Sequence, residues 1–342
     1  MQLTNLQLIQ FRNHISTKLD FNESIIGICG KNGCGKTNLL DAIYYTSITK
    51  SYFNRPDNLN IQFKKDGFRI IANYKTVFNH SRVDVICREN QKKEILFDGD
   101  KYNSNADHIG KFPCVFIAPE QIAIINEGSE NRRKLMDTIL SQINSTYLKT
   151  LMKYNKIMIQ KMAVLKQFVA FGKMDIGVLE ILNVQLIEHG NYIFNERKKL
   201  SESFFTLTNS YYQQLSQSNE TIHIQYKSDL FNHSFKQLLQ LNFYNEQHTQ
   251  RCLVGIHKDD IEFYFHNQPF KQIASQGQKK SLLLALKLAE WTILKSIHNA
   301  PPFLLLDDLF EKLDDHRINN LLHLIIAEKY SQVFISDPQV ER

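Results

Sequence analysis

The sequence predicts an α/β fold in which both ends of the chain build one head, with a mainly helical segment inserted between them. Three observations predict it. The stretch Gly30-Lys31-Asn32-Gly33-Cys34-Gly35-Lys36-Thr37 follows an apolar, strand-like run from Ile25 to Cys29 and precedes a helix-like run from Asn38 to Tyr45. Near the other end, Phe303-Leu304-Leu305-Leu306 reads as a buried strand that runs straight into Asp307-Asp308. Between them, from Ser129 to about Gln217, proline is absent and apolar residues recur at helical spacing. The predicted division is 1–120 for the N-terminal part of the head, 121–240 for a helical arm and 241–342 for the C-terminal part of the head.

Taken in order, Leu3 to Phe11 and Thr17 to Phe21 read as strands around a polar corner, Arg12-Asn13-His14, and Ile25 to Cys29 reads as a buried strand. Lys50 to Asn60 is polar and irregular. Phe68 to Tyr74 and Arg82 to Cys87 are strand-like, with Asp98-Gly99-Asp100 as a hairpin turn, so an antiparallel sheet is expected beside the glycine-rich loop. Phe112 to Ile117 is a further buried strand, ending at Ala118-Pro119-Glu120-Gln121. In the insertion, Leu148, Leu151, Met158, Met162, Leu165 and Val169 fall on one helical stripe, and Leu179, Leu182, Leu186, Ile193 and Leu200 on a second. With Gly172-Lys173-Met174-Asp175 as the reversal, they predict either an antiparallel helical hairpin or two core helices of a globular domain. Lys149, Lys153, Lys156, Lys161 and Lys166 decorate the first helix, as a solvated face or as one that meets DNA. Thr221 to Tyr226 alternates as a strand, and Phe235 to Leu241 and Leu282 to Leu294 read as helices.

Bulk properties narrow the class. With 342 residues, 43% hydrophobic and 22% charged, the chain has the material for a large core and none of the bias of a disordered chain. A formal charge of +6 suits a polyanionic partner without requiring one. The five cysteines form no C-x-x-C pair, which argues against a zinc knuckle or a disulfide framework. No run approaches the ~18 apolar residues of a membrane span, and the N-terminus has no basic region followed by an apolar core. A cytoplasmic chain without membrane contact is expected.

Residues 30–37 satisfy G-x-x-x-x-G-K-[ST] at every fixed position, and strand, glycine loop and helix are the context such a phosphate loop requires. Backbone N–H groups and the helix N-terminus would cradle an anion, Lys36 would reach the β- and γ-phosphates, and Thr37 would offer its hydroxyl to Mg²⁺. Gly30, Asn32, Gly33 and Gly35, with Asn38 behind Thr37, complete the candidates for holding ATP. Asp307 would take the Mg²⁺ shell, and Asp308 would act as general base on the attacking water. Their distance of roughly 270 residues from Lys36 excludes a compact kinase or GTPase arrangement. Ser275 and Gly277, opening the next helix, form a second anion site, redundant within one subunit and therefore assigned to ATP held by another. A small-molecule kinase would leave this second site and the distant acids unexplained. A nuclease would need a metal cluster, for which His257, Asp259 and Asp260 are a thin basis.

Phe11-Arg12-Asn13-His14, GKNGCGKTNLLDAIYY (30–45), APEQ (118–121), GSENRRKLMD (128–137), GIHKDD (255–260), SQGQKKSLLLALKLAE (275–290) and LLLDDLFEKLD (304–314) recur in the order of one family. Over essentially the whole chain they resemble the RecF family of ABC/SMC-type ATPases. The resemblance implies an ABC-ATPase head with a short helical arm and an ATP-dependent homodimer that sandwiches two ATPs. It also implies binding of double-stranded DNA near gaps, at single/double-strand junctions, and handover to RecR and RecO-type mediators. It makes Lys36 and Thr37 the Walker A residues, Asp307 the Walker B residue and Asp308 the catalytic acid position. It further makes Ser275, Gly277 and Gln278 the signature motif, with Ala274 where leucine is usual, and Leu313-Asp314 the D-loop. Arg12 resembles the arginine that leans on the nucleotide, and Arg132 and Arg133 match the family's helix-opening arginines. Three positions depart from the pattern. Gln121 stands where an acid is expected, as a candidate catalytic and Mg²⁺-sensing glutamine; Ser336-Asp337-Pro338 lacks the histidine of transporter-type heads; Ile256 replaces proline. His257 and Lys258 either contact DNA or cap a turn.

Overall fold

The computed structural model describes residues 1–53, 55–76, 79–171, 175–216, 221–298, 301–309, 315–327 and 332–338. Residues 172–174 of the reversal predicted at 172–175, and the D-loop pair Leu313-Asp314, lie outside these residues. The chain forms two compact units: 1–122 with 210–219 and 276–342, and 123–209 with 220–275. This division departs from the sequence boundaries. Residues 241–275, expected with the C-terminal part of the head in 241–342, cluster with the helical unit, because their strands and turn pack on its helices.

In the first unit, β1 (Gln2–Phe11), β2 (His14–Asp20), β4 (Gly67–Lys75), β5 (His80–Arg88), β6 (Glu94–Phe97) and β7 (Asp100–Lys101) form an antiparallel sheet in the order β2-β1-β4-β5-β6-β7. The pairing of β1 with β4 slips between Leu3 and Asn5, and this bulge lets Leu3 and Leu6, an odd number of residues apart, both reach the core. A parallel sheet carries β3 (Ile25–Cys29), β8 (Cys114–Ile117), β12 (Phe303–Leu306) and β13 (Val333–Asp337) in the order β3-β13-β12-β8. β8 and β12 are buried at every residue, as strands of a parallel sheet covered on both faces are. β3 corrects the expectation of a buried strand. It stands at the sheet edge, and its residues alternate between exposed and half-buried.

Two helices complete the described core of this unit, α1 (Lys36–Ile48) and α8 (Gln276–Ile297), with α9 (Asp315–Ala327) between β12 and β13 in sequence. α1 is buried on nearly all sides, which explains its apolar run without a polar face. Tyr44, Tyr52, Phe53 and Phe116 pack ring against ring beside it, Tyr52 and Phe116 stacked at 4.2 Å. The two ends of the chain meet in hydrogen bonds. Gln332 accepts from the Leu3 N–H at 2.7 Å and donates to the Leu3 and Glu23 carbonyls.

The second unit contains α2 (Ala123–Asn126), α3 (Ser129–Ile143), α4 (Ser145–Phe171), α5 (Ile176–Ser216, through residue 209), α6 (Phe235–Thr249) and α7 (Phe270–Ile273). Its antiparallel sheet runs β11-β10-β9, from β9 (His223–Lys227), β10 (Asp260–Phe265) and β11 (Gln268–Pro269). α4 and α5 are antiparallel. Asn144 bonds Tyr192 and Glu196, Tyr147 meets Arg197, and farther along α4 Tyr154 lies against Gly190, so one helix advances as the other retreats. A Cβ at Gly190 would come within 2.4 Å of the Phe235 ring, so the third helix, α6, also presses into this seam. The hairpin is thus part of a globular core. On α5 the predicted stripe, Leu179, Leu182, Leu186, Ile193 and Leu200, is buried throughout. On α4 the predicted stripe is met in part: Leu165 is buried, Leu148, Leu151, Met158 and Met162 are half-buried, and the side chain of Val169 lies outside the described residues, while Tyr147, Tyr154, Ile157 and Lys161 are buried beside Leu165. The tyrosines take core positions because their hydroxyls find Asp137 and His257.

Candidate active site

β3 delivers the chain to the glycine loop, and α1 begins at Lys36, directly after it. Gly33 and Gly35 stand at φ +83° and +107°, in the left-handed region that glycine enters without strain, and open space surrounds Gly33. Gly35 has a second constraint, because a Cβ there would lie 2.4 Å from Asn13 Nδ2 and 2.8 Å from His14 Nε2. The corner between β1 and β2 therefore clamps the loop. Asn13 donates to the Cys34 carbonyl at 2.9 Å and accepts from Asn38 at 2.7 Å, and His14 Nε2 lies 3.3 Å from the Gly35 carbonyl. Asn32 is exposed at the loop tip, and Gly30 carries no Cβ where Cys34 Sγ would meet it at 2.9 Å.

Lys36 is buried and donates to the Gly30 carbonyl at 2.9 Å, its ammonium held inside the curl of the loop where phosphate oxygens would compete for it. Thr37 Oγ1 donates to Asp307 Oδ1 at 2.9 Å across 270 residues of sequence. Asp307 directly follows β12, is buried, and its carboxyl is pushed above the ordinary aspartate range by burial, with bonds from Ser336 and Thr37 pulling it back. Asp308 is half-buried at φ +42°. The structure thus brings Lys36, Thr37, Asp307 and Asp308 to one end of the parallel sheet, where strands of an α/β sheet present ligands.

These residues fit Mg²⁺. The hydroxyl of Thr37 and the carboxylate of Asp307 are hard oxygen donors already side by side. Among the described residues no three His, Cys, Asp or Glu side chains gather into a metal cage. Mg²⁺ needs none, since waters and nucleotide phosphates fill most of its shell. Thr37 and Asp307 would hold the ion, which when bound neutralises charge on the phosphates.

Two further candidates are engaged by protein partners. Gln121 is folded into the wall: its Oε1 accepts from the Ala118 N–H at 3.1 Å and its side chain hydrogen-bonds Tyr52. The short turn over 119–122 leaves the Ala118 N–H without a strand partner, and Gln121 supplies one, so its carbonyl oxygen already has a protein partner. The charge of its neighbour Glu120 is instead felt by Asp307 and raises its pKa. The sequence reading missed Glu120, although it adjoins a candidate. Arg12 is occupied by protein partners. It forms a buried ion pair with Asp41 and donates to Asn38, Ser51 and Asn60, tying β1 to α1. Burial opposes both charges of this pair, lowering the Arg12 pKa and raising that of Asp41. These bonds use Nε, one Nη1 and both Nη2 hydrogens, so a nucleotide contact by Arg12 would use the second Nη1 N–H or replace one of them.

Ser275 is exposed one residue before α8, and Gly277 and Gln278 lie in the first turn of that helix. The guanidinium of Arg317 covers Gly277, where a Cβ would stand 2.9 Å from Nη2. Arg132 and Arg133 act inside the second unit. Arg132 grips Asp260 through two nitrogens and the carbonyls of Ile124 and Glu127, and Arg133 donates to Ser129 Oγ and the Asp259 carbonyl. The three residues weighed for a nuclease are likewise engaged. Asp259 pairs with Arg197 and Tyr226, Asp260 with Arg132, and His257 with Tyr154 and the Cys252 carbonyl, burial lowering its pKa to about 4. His257 caps its turn. Among the described residues, no helix is long and apolar enough to cross a membrane.

The family described as RecF/RecN/SMC N terminal domain matches residues 2–339 of the chain. The DNA replication and repair protein RecF of Flavobacterium johnsoniae is 40% identical over 344 residues, an alignment covering 100% of this chain and 95% of that protein. The protein of the same name from Cytophaga hutchinsonii is 33% identical, covering 100% of this chain and 90% of its own length. Among solved structures, the recombination mediator protein RecF-ATPrS of the RecFOR pathway superposes with a TM-score of 0.91 at 29% identity, over 99% of this chain and 92% of that one. An Smc head bound to the C-winged helix domain of ScpA reaches 0.58 at 14% identity, over 99% and 91%, a likeness of fold alone.

Proposed function

The chain belongs to the RecF family, and from that premise we propose that it is an ATP-gated DNA clamp of recombinational repair. Membership makes it an SMC-like ABC ATPase of DNA replication and repair; the clamp is the finer reading. In it, ATP on the glycine loop of one subunit meets Ser275, Gly277 and Gln278 of a second, so two nucleotides close a head-to-head dimer on double-stranded DNA near single-strand gaps. Asp308 accepts the proton of the attacking water, Lys36 compensates the phosphate charge, and slow, DNA-stimulated hydrolysis opens the dimer. RecR- and RecO-type mediators would receive the DNA-bound state; the related ATP-bound structure is described as a mediator of the RecFOR pathway.

The observation that carries this reading is the Thr37–Asp307 bond, which joins the two halves of a nucleotide site 270 residues apart. A site split so widely suits a head interrupted by an insertion and does not suit a compact small-molecule kinase. The test is sedimentation of the full chain without nucleotide, with ATP, and with ATP after Ser275→Arg. Dimers that require ATP and vanish with Ser275→Arg, while the variant still binds nucleotide, are expected. Monomers under all three conditions would overturn the clamp.

A further inference from the structure

β13 runs between β3 and β12, with Ile335 opposite Leu306 and Ser336 opposite Ile28, which sets Ser336 level with Asp307. The Ser336 side chain is fully buried. Its hydroxyl donates to Asp307 Oδ1 at 2.7 Å and accepts from the backbone N–H of Asp308 at 2.9 Å. A hydroxyl has one proton, and the alternative acceptor, Asp308 Oδ1, is farther away at 3.4 Å, so that proton belongs to Asp307. One small side chain therefore binds the carboxylate of the first acid to the backbone of the second.

Both acids need such a tie. Asp308 stands at φ +42°, a left-handed conformation that costs a residue with a Cβ some strain and persists only where its surroundings hold it. Asp307 Oδ1 takes two hydroxyl donors, Thr37 from the glycine loop and Ser336 from the last strand, so its direction is fixed from two sides of the site. Resting on the nucleotide-site reading above, we propose that Ser336 is a positioning residue of the ATPase centre. It holds the Asp307 carboxylate toward the cation position and Asp308 in its left-handed conformation, and it touches neither nucleotide nor water. The departure from the transporter-type motif at Ser336-Asp337-Pro338 thus has a function of its own.

The test compares the full-length chain with Ser336→Ala and Ser336→Thr in three measurements: binding of a fluorescent ATP analogue with and without Mg²⁺, steady-state ATP hydrolysis, and the thermal midpoint. Ser336→Ala should bind the Mg²⁺-free analogue within about twofold of the parent but lose most of the tightening that Mg²⁺ brings. Its kcat should fall about tenfold to a hundredfold, the range for a lost hydrogen bond to a charged group. Ser336→Thr, which keeps the hydroxyl, should restore both within about threefold. An alanine variant that hydrolyses like the parent overturns the proposal, as does a threonine variant no better than alanine. So does an alanine variant that loses Mg²⁺-free binding together with thermal stability, since that marks a structural role only. A parent chain that binds no ATP overturns the nucleotide-site reading itself, and with it this one, a result distinct from the others.

Discussion

The imidazole of His108 is fully buried in the first unit. Its Nε2 donates to the Thr46 carbonyl at 2.7 Å, and its Nδ1 accepts from the Tyr102 hydroxyl at 3.1 Å. These partners fix the neutral tautomer, and burial lowers the pKa from 6.5 to about 4. The unfolded chain takes up the proton near 6.5, while the folded protein resists it until about 4. This group's stabilisation is therefore complete above the higher value and lost as the pH falls between the two. At pH 5 the loss should be about 1–2 kcal/mol relative to pH 7. Urea midpoints at the two pH values, for the parent and for His108→Gln, will measure it; the glutamine variant should lose that part of the pH dependence, and equal dependence in both would refute it. Nothing in the sequence marks His108 as buried. Its neighbours, Asp107 and Ile109, form no pattern that points the ring inward, and only the pairing of distant segments brings Thr46 to it.

At the scale of elements, α4 holds a lesson about charge. Five of its lysines read alike in sequence, yet Lys161 is buried and pairs with Glu246 of α6 at 2.6 Å, while Lys153, Lys156 and Lys166 are exposed. Glu246 also accepts from the Leu253 N–H at 2.8 Å, so the pair closes a junction of helix and turn. Removing one member strands the other charge in the core. Lys161→Met should destabilise the protein by about 3 kcal/mol, and Lys153→Ala by less than about 0.5. Chemical denaturation followed by circular dichroism will separate them, and equal effects would contradict the buried pair. The stripe on α5 was legible because leucine and isoleucine carry it alone. On α4 the apolar count misses much of the seam, since two tyrosines and a lysine share it. Arg197 hides in the same way. Burial works against its charge, but Asp137 and Asp259 hold it ionised inside the unit.

For the whole molecule, the proposed clamp would bind DNA through phosphate contacts, and such affinity falls with salt in proportion to the contacts made. If the exposed face of α4 meets the duplex, Lys153→Ala with Lys156→Ala should weaken binding to all sequences alike and reduce the salt slope by about 2. Titrations of a gapped duplex at several salt concentrations, with ATP present, test this; an unchanged slope would leave these lysines as a solvated face. By itself the sequence determined the features that depend on local order. The glycine loop between strand and helix, the apolar strand ending in two acids, the antiparallel strands and the long helices all follow from residue type at fixed short spacing. Tertiary structure decided which of these meet. Thr37 reaches Asp307, Ser336 bridges Asp307 and Asp308, Gln121 turns into the wall while the charge of Glu120 bears on Asp307, and Lys161 leaves the surface. Each depends on which strands and helices become neighbours, and burial then sets the cost of every unpaired charge or N–H, so the same residue types take different roles according to what packs against them.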